Sequence, residues 1–231
     1  MSKIIGILGG MGPLATVDLV NKIIMNTPAK VDQDHLRMII YNNPKIPSRN
    51  EAILFNGKNP LPELIKTAKM IEYAGADFII MPCNTAHNWY HEVKSHVKIP
   101  FYDMIENTVC EIMNSNIPLN SVLLLATEAM ITRGLYQKAF QSLGAHIWIP
   151  NPLEQEVISK GIGKVKALQV DSNSYIDQIN EMIGSYKVKG IQAIIGGCTE
   201  IPLLFPYLDQ QIIKIDPTLI LAKLAIRKAI A

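Results

Sequence analysis

Short runs of apolar residues alternate along this chain with longer stretches in which apolar positions return every third or fourth residue. The runs are Ile4–Leu8, Met38–Tyr41, Phe78–Met81, Ile99–Tyr102, Val122–Leu125, Ile147–Ile149, Ile191–Ile195 and Ile212–Ile215. Continuous apolar runs of this length suit strands buried on both faces, which is the condition of a parallel sheet covered by helices. Two intervening stretches carry the helical period most clearly, with Val17, Val20 and Ile24 on one face and Ile176, Ile179 and Ile183 on another. The pattern therefore predicts an α/β fold.

The two halves of the chain also resemble each other. In the first, a strand ends at Gly9, a later apolar strand leads to Cys83, and Asp103 follows the next strand. In the second, the same order gives Ala126, Cys198 and Asp216. The intervals to the cysteines are 74 and 72 residues, and those from cysteine to aspartate are 20 and 18. A weak repeat of this kind predicts two similar lobes, each a parallel sheet flanked by helices, related by a pseudo-two-fold axis with the active site between them. The expected first lobe comprises residues 1–116 with 217–231, its last helix crossing back from the second lobe, residues 117–216.

Composition narrows the function. With 48% hydrophobic residues over 231 positions, the chain can bury a full core. Its 22 basic and 20 acidic residues nearly cancel, which argues against nucleic acid as a partner. The N-terminal apolar run is too short for a signal sequence or a membrane span, so a cytoplasmic protein with no membrane partner is expected. Three widely spaced cysteines without a C-x-x-C pair fit neither a disulfide framework nor a structural zinc site. Reduced thiols are expected, and no metal.

Cys83 and Cys198 each stand where an apolar strand runs into a probable helix, in Phe78–His87 and Ala193–Pro202. Loops beyond the carboxyl ends of parallel strands form the ligand crevice. A cysteine there lies near the positive end of the next helix, where a thiolate is stabilised. Asn84, Thr85 and Thr199 add groups able to hydrogen-bond an anion. A free cysteine is ordinarily a small buried hydrophobe, and either one alone would be read so; the matched placement favours chemistry. Inversion of a stereocentre by proton transfer needs a base on one face of a carbon and an acid on the other, which a thiol from each lobe would supply. Cys110, among apolar residues at helical spacing, is assigned to packing.

Four segments carry a resemblance to a known family: Gly9–Thr16, Asn42–Arg49, Met81–His87 and Gly196–Ile201. Together they resemble the aspartate racemases of the Asp/Glu racemase superfamily, across essentially the whole chain. The resemblance implies a two-domain α/β enzyme that racemises an acidic amino acid without pyridoxal phosphate, other cofactor or metal, frequently as a homodimer. It makes Cys83 and Cys198 the catalytic thiols and Arg49 a ligand of a substrate carboxylate. Asn84, Thr85 and Ala86 would border the substrate. Lys166 best matches the lysine expected to hold the second carboxylate, with Lys160 and Lys164 close by; a solvated basic helix face is the ordinary source of such a cluster. Ser48 stands where the family often has aspartate. Glu200 stands where glutamate racemases usually have histidine, which favours aspartate over glutamate without excluding a broad specificity.

Gly10–Ala15 fits a dinucleotide fingerprint after a strand, but the second strand ends in Asn42 and Asn43 with no acidic ribose partner. The loop is read instead as a backbone lining for a carboxylate, through Gly10 and Met11. His87 is read as a packed or hydrogen-bonded residue rather than the base of a cysteine hydrolase. Three other functions stay open at this point: a glutamate or broad Asp/Glu racemase, a malonate decarboxylase or maleate isomerase, and a non-catalytic amino-acid-binding module.

Overall fold

The computed structural model describes residues 2–230. The chain divides into two compact units, Met1–Asn107 with Thr218–Ala231, and Thr108–Pro217. The first contains β1 (Ile5–Gly9), α1 (Pro13–Asn26), β2 (Met38–Asn42), α2 (Arg49–Leu54), α3 (Leu61–Tyr73), β3 (Phe78–Ile80) and α4 (Tyr90–Lys94), and α5 (Met104–Met113) spans the division. The second contains β4 (Val122–Leu125), α6 (Glu128–Arg133), α7 (Leu135–Gln141), α8 (Pro152–Lys166), α9 (Ile176–Val188), β5 (Ala193–Gly196), α10 (Ile201–Leu204) and β6 (Ile213–Ile215). The terminal helix, α11 (Pro217–Ile230), belongs to the first unit almost entirely.

Each unit holds a three-stranded parallel sheet, in the orders β2-β1-β3 and β4-β5-β6. The α/β class read from the sequence is thus the observed one. Two of the expected strands, Ile99–Tyr102 and Ile147–Ile149, are reduced to single parallel bridges, Phe101 to Ile79 and Trp148 to Leu123. Proline is the reason. Ile79 N–H donates to Pro100 and Tyr102 N–H to Ile79, so alternate residues face β3 and Pro100 falls where a further N–H would be needed. Likewise Trp148 donates to Val122 and accepts from Leu124, and Pro150 occupies the next facing position. With the bridges counted, both units share one order: second, first, third, fourth segment. The unit-by-unit topology thus repeats as the spacing of the halves does.

β1, β3, β4 and β5 are buried along their whole lengths, as their unbroken apolar sequences require. In the first unit, Ile5, Ile7, Phe78 and Ile80 face one core, completed by Leu19 and Ile23 of α1 and by Leu221, Ala225 and neighbours of α11. Leu8, Ile79 and Met81 face a second core with Leu64, Ala68 and Ile71 of α3. In the second unit α8 packs on α9 and buries Ile158, Ile162 and Val165.

The expected buried face of α9 is present, Ile179 and Ile183 being fully buried and Ile176 partly. That of α1 is corrected in part, Val20 alone of the expected three packing against the core. Thr16, Leu19 and Ile23 point inward, whereas Val17 is 63% and Ile24 41% exposed. Apolar residues occupy both stripes, and Thr16 is drawn inward because its hydroxyl accepts from Gly10 N–H at 2.9 Å and donates to the Gly12 carbonyl at 3.1 Å. Cys110 is corrected too: it lies on the exposed side of α5, while Val109 and Ile112 carry the packing.

Truncation in the centre of a sheet should therefore far outweigh truncation on the outer face of α1. Ile194→Ala, in fully buried β5, is expected to lower the free energy of unfolding by about 2–5 kcal/mol, and Val17→Ala to change it by less than about 0.5 kcal/mol. Urea denaturation of the two variants checks the assignment; equal losses would contradict it.

Candidate active site

In the first unit three loops converge on the core that contains Cys83. The loop after β1 turns through Gly10, whose φ of +97° and close approach to Asn43 both exclude a side chain; an added Cβ would lie 2.3–2.5 Å from the Asn43 backbone. Asn43 begins the second loop, and its N–H donates to the Gly9 carbonyl. This loop is pinned by buried Ile46, which shares a core with Met11, Cys83 and Ala86. It then delivers Ser48, whose hydroxyl accepts from Glu51 N–H and caps α2. Serine in place of aspartate keeps the cap, since both side chains serve there equally well. Arg49 follows as the first helical residue.

Arg49 is half-buried and held by its Nη1, which donates to the carbonyls of Ile46 at 3.2 Å and Pro47 at 3.0 Å. Its Nε is buried and has no hydrogen-bond partner among the described residues. A guanidinium fixed along one edge with a buried donor left over is prepared for an oxygen ligand. Cys83 itself sits just beyond β3, where its N–H donates to the Met81 carbonyl at 2.9 Å, and the chain continues into the 3₁₀ turn Thr85–Trp89. Asn84, Thr85 and Ala86 are all buried there.

His87 has both ring nitrogens committed to the backbone. Nδ1–H donates to the Cys83 carbonyl at 2.8 Å, and Nε2 accepts from Met104 N–H at 3.0 Å. That pattern describes the neutral ring. Burial holds its pKa below the usual 6.5, outweighing the Asp103 carboxylate 4.0 Å away. The packed reading of His87 is therefore the observed one; the ring braces the cysteine turn against α5 and has no nitrogen for the thiol.

In the second unit β5 ends at Gly196, and Gly197 follows it. A Cβ on Gly197 would meet Leu124 Cδ1 at 2.4 Å, so glycine lets the turn press against β4. Gly197 N–H donates to the Ile195 carbonyl, a tight turn like that at Cys83. Cys198 Sγ then donates to Glu200 Oε2 at 2.8 Å, and the Thr199 hydroxyl donates to the same oxygen at 3.3 Å. Lys166 Nζ lies 4.0 Å from Glu200 Oε1.

These contacts reverse one expectation. Cys198 is a thiol pushed well above the usual range, first by burial and then by the Glu200 carboxylate, which together outweigh Lys166 and the backbone hydrogen bond from Glu200 at the start of the next helix. The helix that follows, α10, is only four residues long. Of the basic residues of α8, Lys166 faces Glu200 beside the cysteine, whereas Lys160 pairs on the surface with Glu156 at 2.6 Å. Its place in the last turn follows from a strong start: Asn151 accepts from Leu153 and Glu154 N–H groups, and Glu154 accepts in return from Asn151 N–H. Glu200 enters the sequence reading only as a marker of specificity; its hydrogen bond with the candidate thiol is what sequence reasoning missed. Its place two residues beyond a cysteine was the available signal.

Known proteins agree with this reading of the chain as an enzyme. The family model described as Asp/Glu/Hydantoin racemase matches residues 8–225. The chain belongs to that racemase family. It is 35% identical to the Picrophilus torridus aspartate racemase, with a TM-score of 0.86, covering 98% of this chain and 94% of that one. An aspartate racemase homologue from Pyrococcus horikoshii OT3 is 28% identical with a TM-score of 0.79, covering 100% of both chains. The broad specificity amino-acid racemase RacX of Bacillus subtilis (strain 168) is 28% identical over 223 residues, 95% of each protein.

Because the unfolded chain takes up a proton at His87 that the folded one resists, this residue's contribution to stability is complete above about pH 6.5 and is lost as the pH falls toward its lower folded pKa. His87→Gln should be the less stable protein at about pH 7.5, and its deficit should shrink toward about pH 5. Denaturant unfolding across that range tests this; a constant deficit would show that the ring is not held neutral.

Proposed function

We propose that this member of the racemase family interconverts L- and D-aspartate by a cofactor-independent two-base mechanism in which Cys83 and Cys198 exchange the roles of base and acid. The observation that carries the reading is the equivalent placement of two buried cysteines, one in each unit, at the carboxyl end of a central strand: Cys83 beyond β3 and Cys198 beyond β5. A single-cysteine chemistry would leave one of these turns without a purpose.

In the proposed cycle Arg49 takes one substrate carboxylate through its free Nε edge, and Lys166 takes the other. A thiolate removes the α-proton, forming an S–H bond while the C–H electron pair spreads into the α-carboxylate. The opposite thiol then gives its proton to the other face of the carbon, its electron pair staying on sulfur. Backbone groups of Gly10 and Met11, with Asn84, Thr85, Ala86 and Thr199, border the substrate and stabilise the added negative charge.

The likeness to the Picrophilus torridus enzyme supports aspartate, as does Glu200 in place of the histidine usual in glutamate racemases. The near full-length likeness to a broad specificity racemase supports a second reading, turnover of several amino acids. Incubation with L-aspartate in D2O, without added cofactor, should show α-proton loss by NMR together with D-aspartate on chiral chromatography. Cys83→Ala and Cys198→Ala should each lower that rate by about 10²- to 10⁴-fold, the range of general acid–base catalysis. Arg49→Ala should lower kcat/KM about 10- to 100-fold, through the loss of charged hydrogen bonds worth about 1.5–3 kcal/mol. Equal rates with other amino acids would move the assignment to broad specificity. A single cysteine variant racemising at the parental rate would remove the two-base mechanism, and ligand binding without proton loss would leave a binding module.

A further inference from the structure

Glu200 is buried, with 3% of its surface exposed, and buried carboxylates need a reason. It stands at the start of α10 yet makes no capping hydrogen bond there. Its oxygens turn instead to function-bearing groups: Oε2 accepts from Cys198 Sγ at 2.8 Å and from the Thr199 hydroxyl at 3.3 Å, and Oε1 faces Lys166 Nζ at 4.0 Å. The thiol and the hydroxyl both donate to this carboxylate, which acts as the acceptor in each contact. The proton in the short S···O contact therefore belongs to sulfur.

The other thiol has no such neighbour in sequence. Cys83 is followed at the same spacing by Thr85, which carries no charge. Nor does His87 supply one, being neutral with both nitrogens bonded to the backbone.

We propose that Glu200 is a positioning residue that keeps Cys198 in its protonated form in the resting enzyme, so that the cycle starts with Cys83 as base and Cys198 as acid. This rests on the two-thiol reading above. Ionising Cys198 beside Glu200 would put two anions in hydrogen-bond contact out of water, and Lys166 together with the backbone hydrogen bond from Glu200 offsets that only in part. The same repulsion is useful once the proton has been given away. The Cys198 thiolate left after turnover is a stronger base than an unassisted one, which suits it to removing a weakly acidic α-proton in the return direction.

The two enantiomers are equal in free energy, so kcat/KM is the same in both directions whatever the proton distribution. The bias has to be read on the thiols themselves. The experiment is alkylation of the full-length protein with iodoacetamide from about pH 6 to about pH 10, with modification at each cysteine quantified by peptide mass spectrometry and normalised to its plateau rate at high pH.

In the parent, Cys83 should react at lower pH than Cys198. In Glu200→Gln the Cys198 profile should move down by at least about one pH unit, a tenfold or greater gain in normalised reactivity at about pH 8, with Cys83 unmoved. Glu200→Asp, which restores the charge on a shorter stem, should return Cys198 toward the parental profile. Unchanged Cys198 reactivity in Glu200→Gln, or a parent in which Cys198 ionises before Cys83, would overturn the proposal. If Glu200→Gln does not fold, Glu200→Ser removes the same carboxylate, and the same downward shift of Cys198 is expected of it. Because none of these readings uses turnover, a protein with the expected profiles but no racemisation would refute the proposed function and leave the role of Glu200 standing.

Discussion

Burial of the central strands on both faces is the constraint from which the rest of the site follows. β1, β3, β4 and β5 are closed to solvent along their lengths, and their backbone polar groups must find partners along the ladders rather than in water. Polar side chains then gather where the ladders stop. At those ends the chain must turn without leaving donors or acceptors unpaired, and it does so with tight turns after Met81 and Ile195. Both turns present a cysteine. Glycine makes them dense: Gly197 lets one press on β4, and Gly10 lets the neighbouring loop rest on Asn43, which begins the segment carrying Arg49.

Much of this was legible from residue order. Apolar runs marked the strands because a doubly covered strand has no polar position to interrupt it, and the repeated spacing marked equivalent turns. What was not legible depended on contacts made across space. Ile99–Tyr102 and Ile147–Ile149 are as apolar as true strands, and only the pairing register reveals that Pro100 and Pro150 fall on the hydrogen-bonding side. The inner stripe of α1 was misread because a threonine bonded to the glycine loop outranks an exposed valine, a preference that hydrophobic periodicity does not record. Cys110 looked like a packing residue by its neighbours, and the helix turns it outward.

Electrostatics was the least legible layer. The sequence reading treated the two cysteine turns as equals and assigned both to a helix terminus. The structure makes them unlike. A carboxylate two residues beyond one sulfur, and a hydroxyl at the same offset from the other, give one repeated backbone two chemical environments. A symmetric reaction does not require symmetric reagents, and a pair of groups with unequal hold on a proton is the ordinary condition for acid and base to coexist at one pH.

The prolines that cut short the fourth segment of the first unit and the second segment of the other have an effect beyond the ladder. A sheet margin with a full row of unpaired N–H groups invites a foreign strand, and proline or lysine at the margin discourages it. Here each sheet has one flank reduced to a single bridge beside a proline. The flank formed by β6 carries Lys214, whose ammonium is occupied by the carbonyls of Phe205 and Leu208. Because Pro100 and Pro150 face their own sheets, it is the shortness of the paired segments that leaves those two flanks little length for a foreign strand. On those two flanks the apolar richness that builds the doubly covered strands has little open ladder through which to recruit another chain.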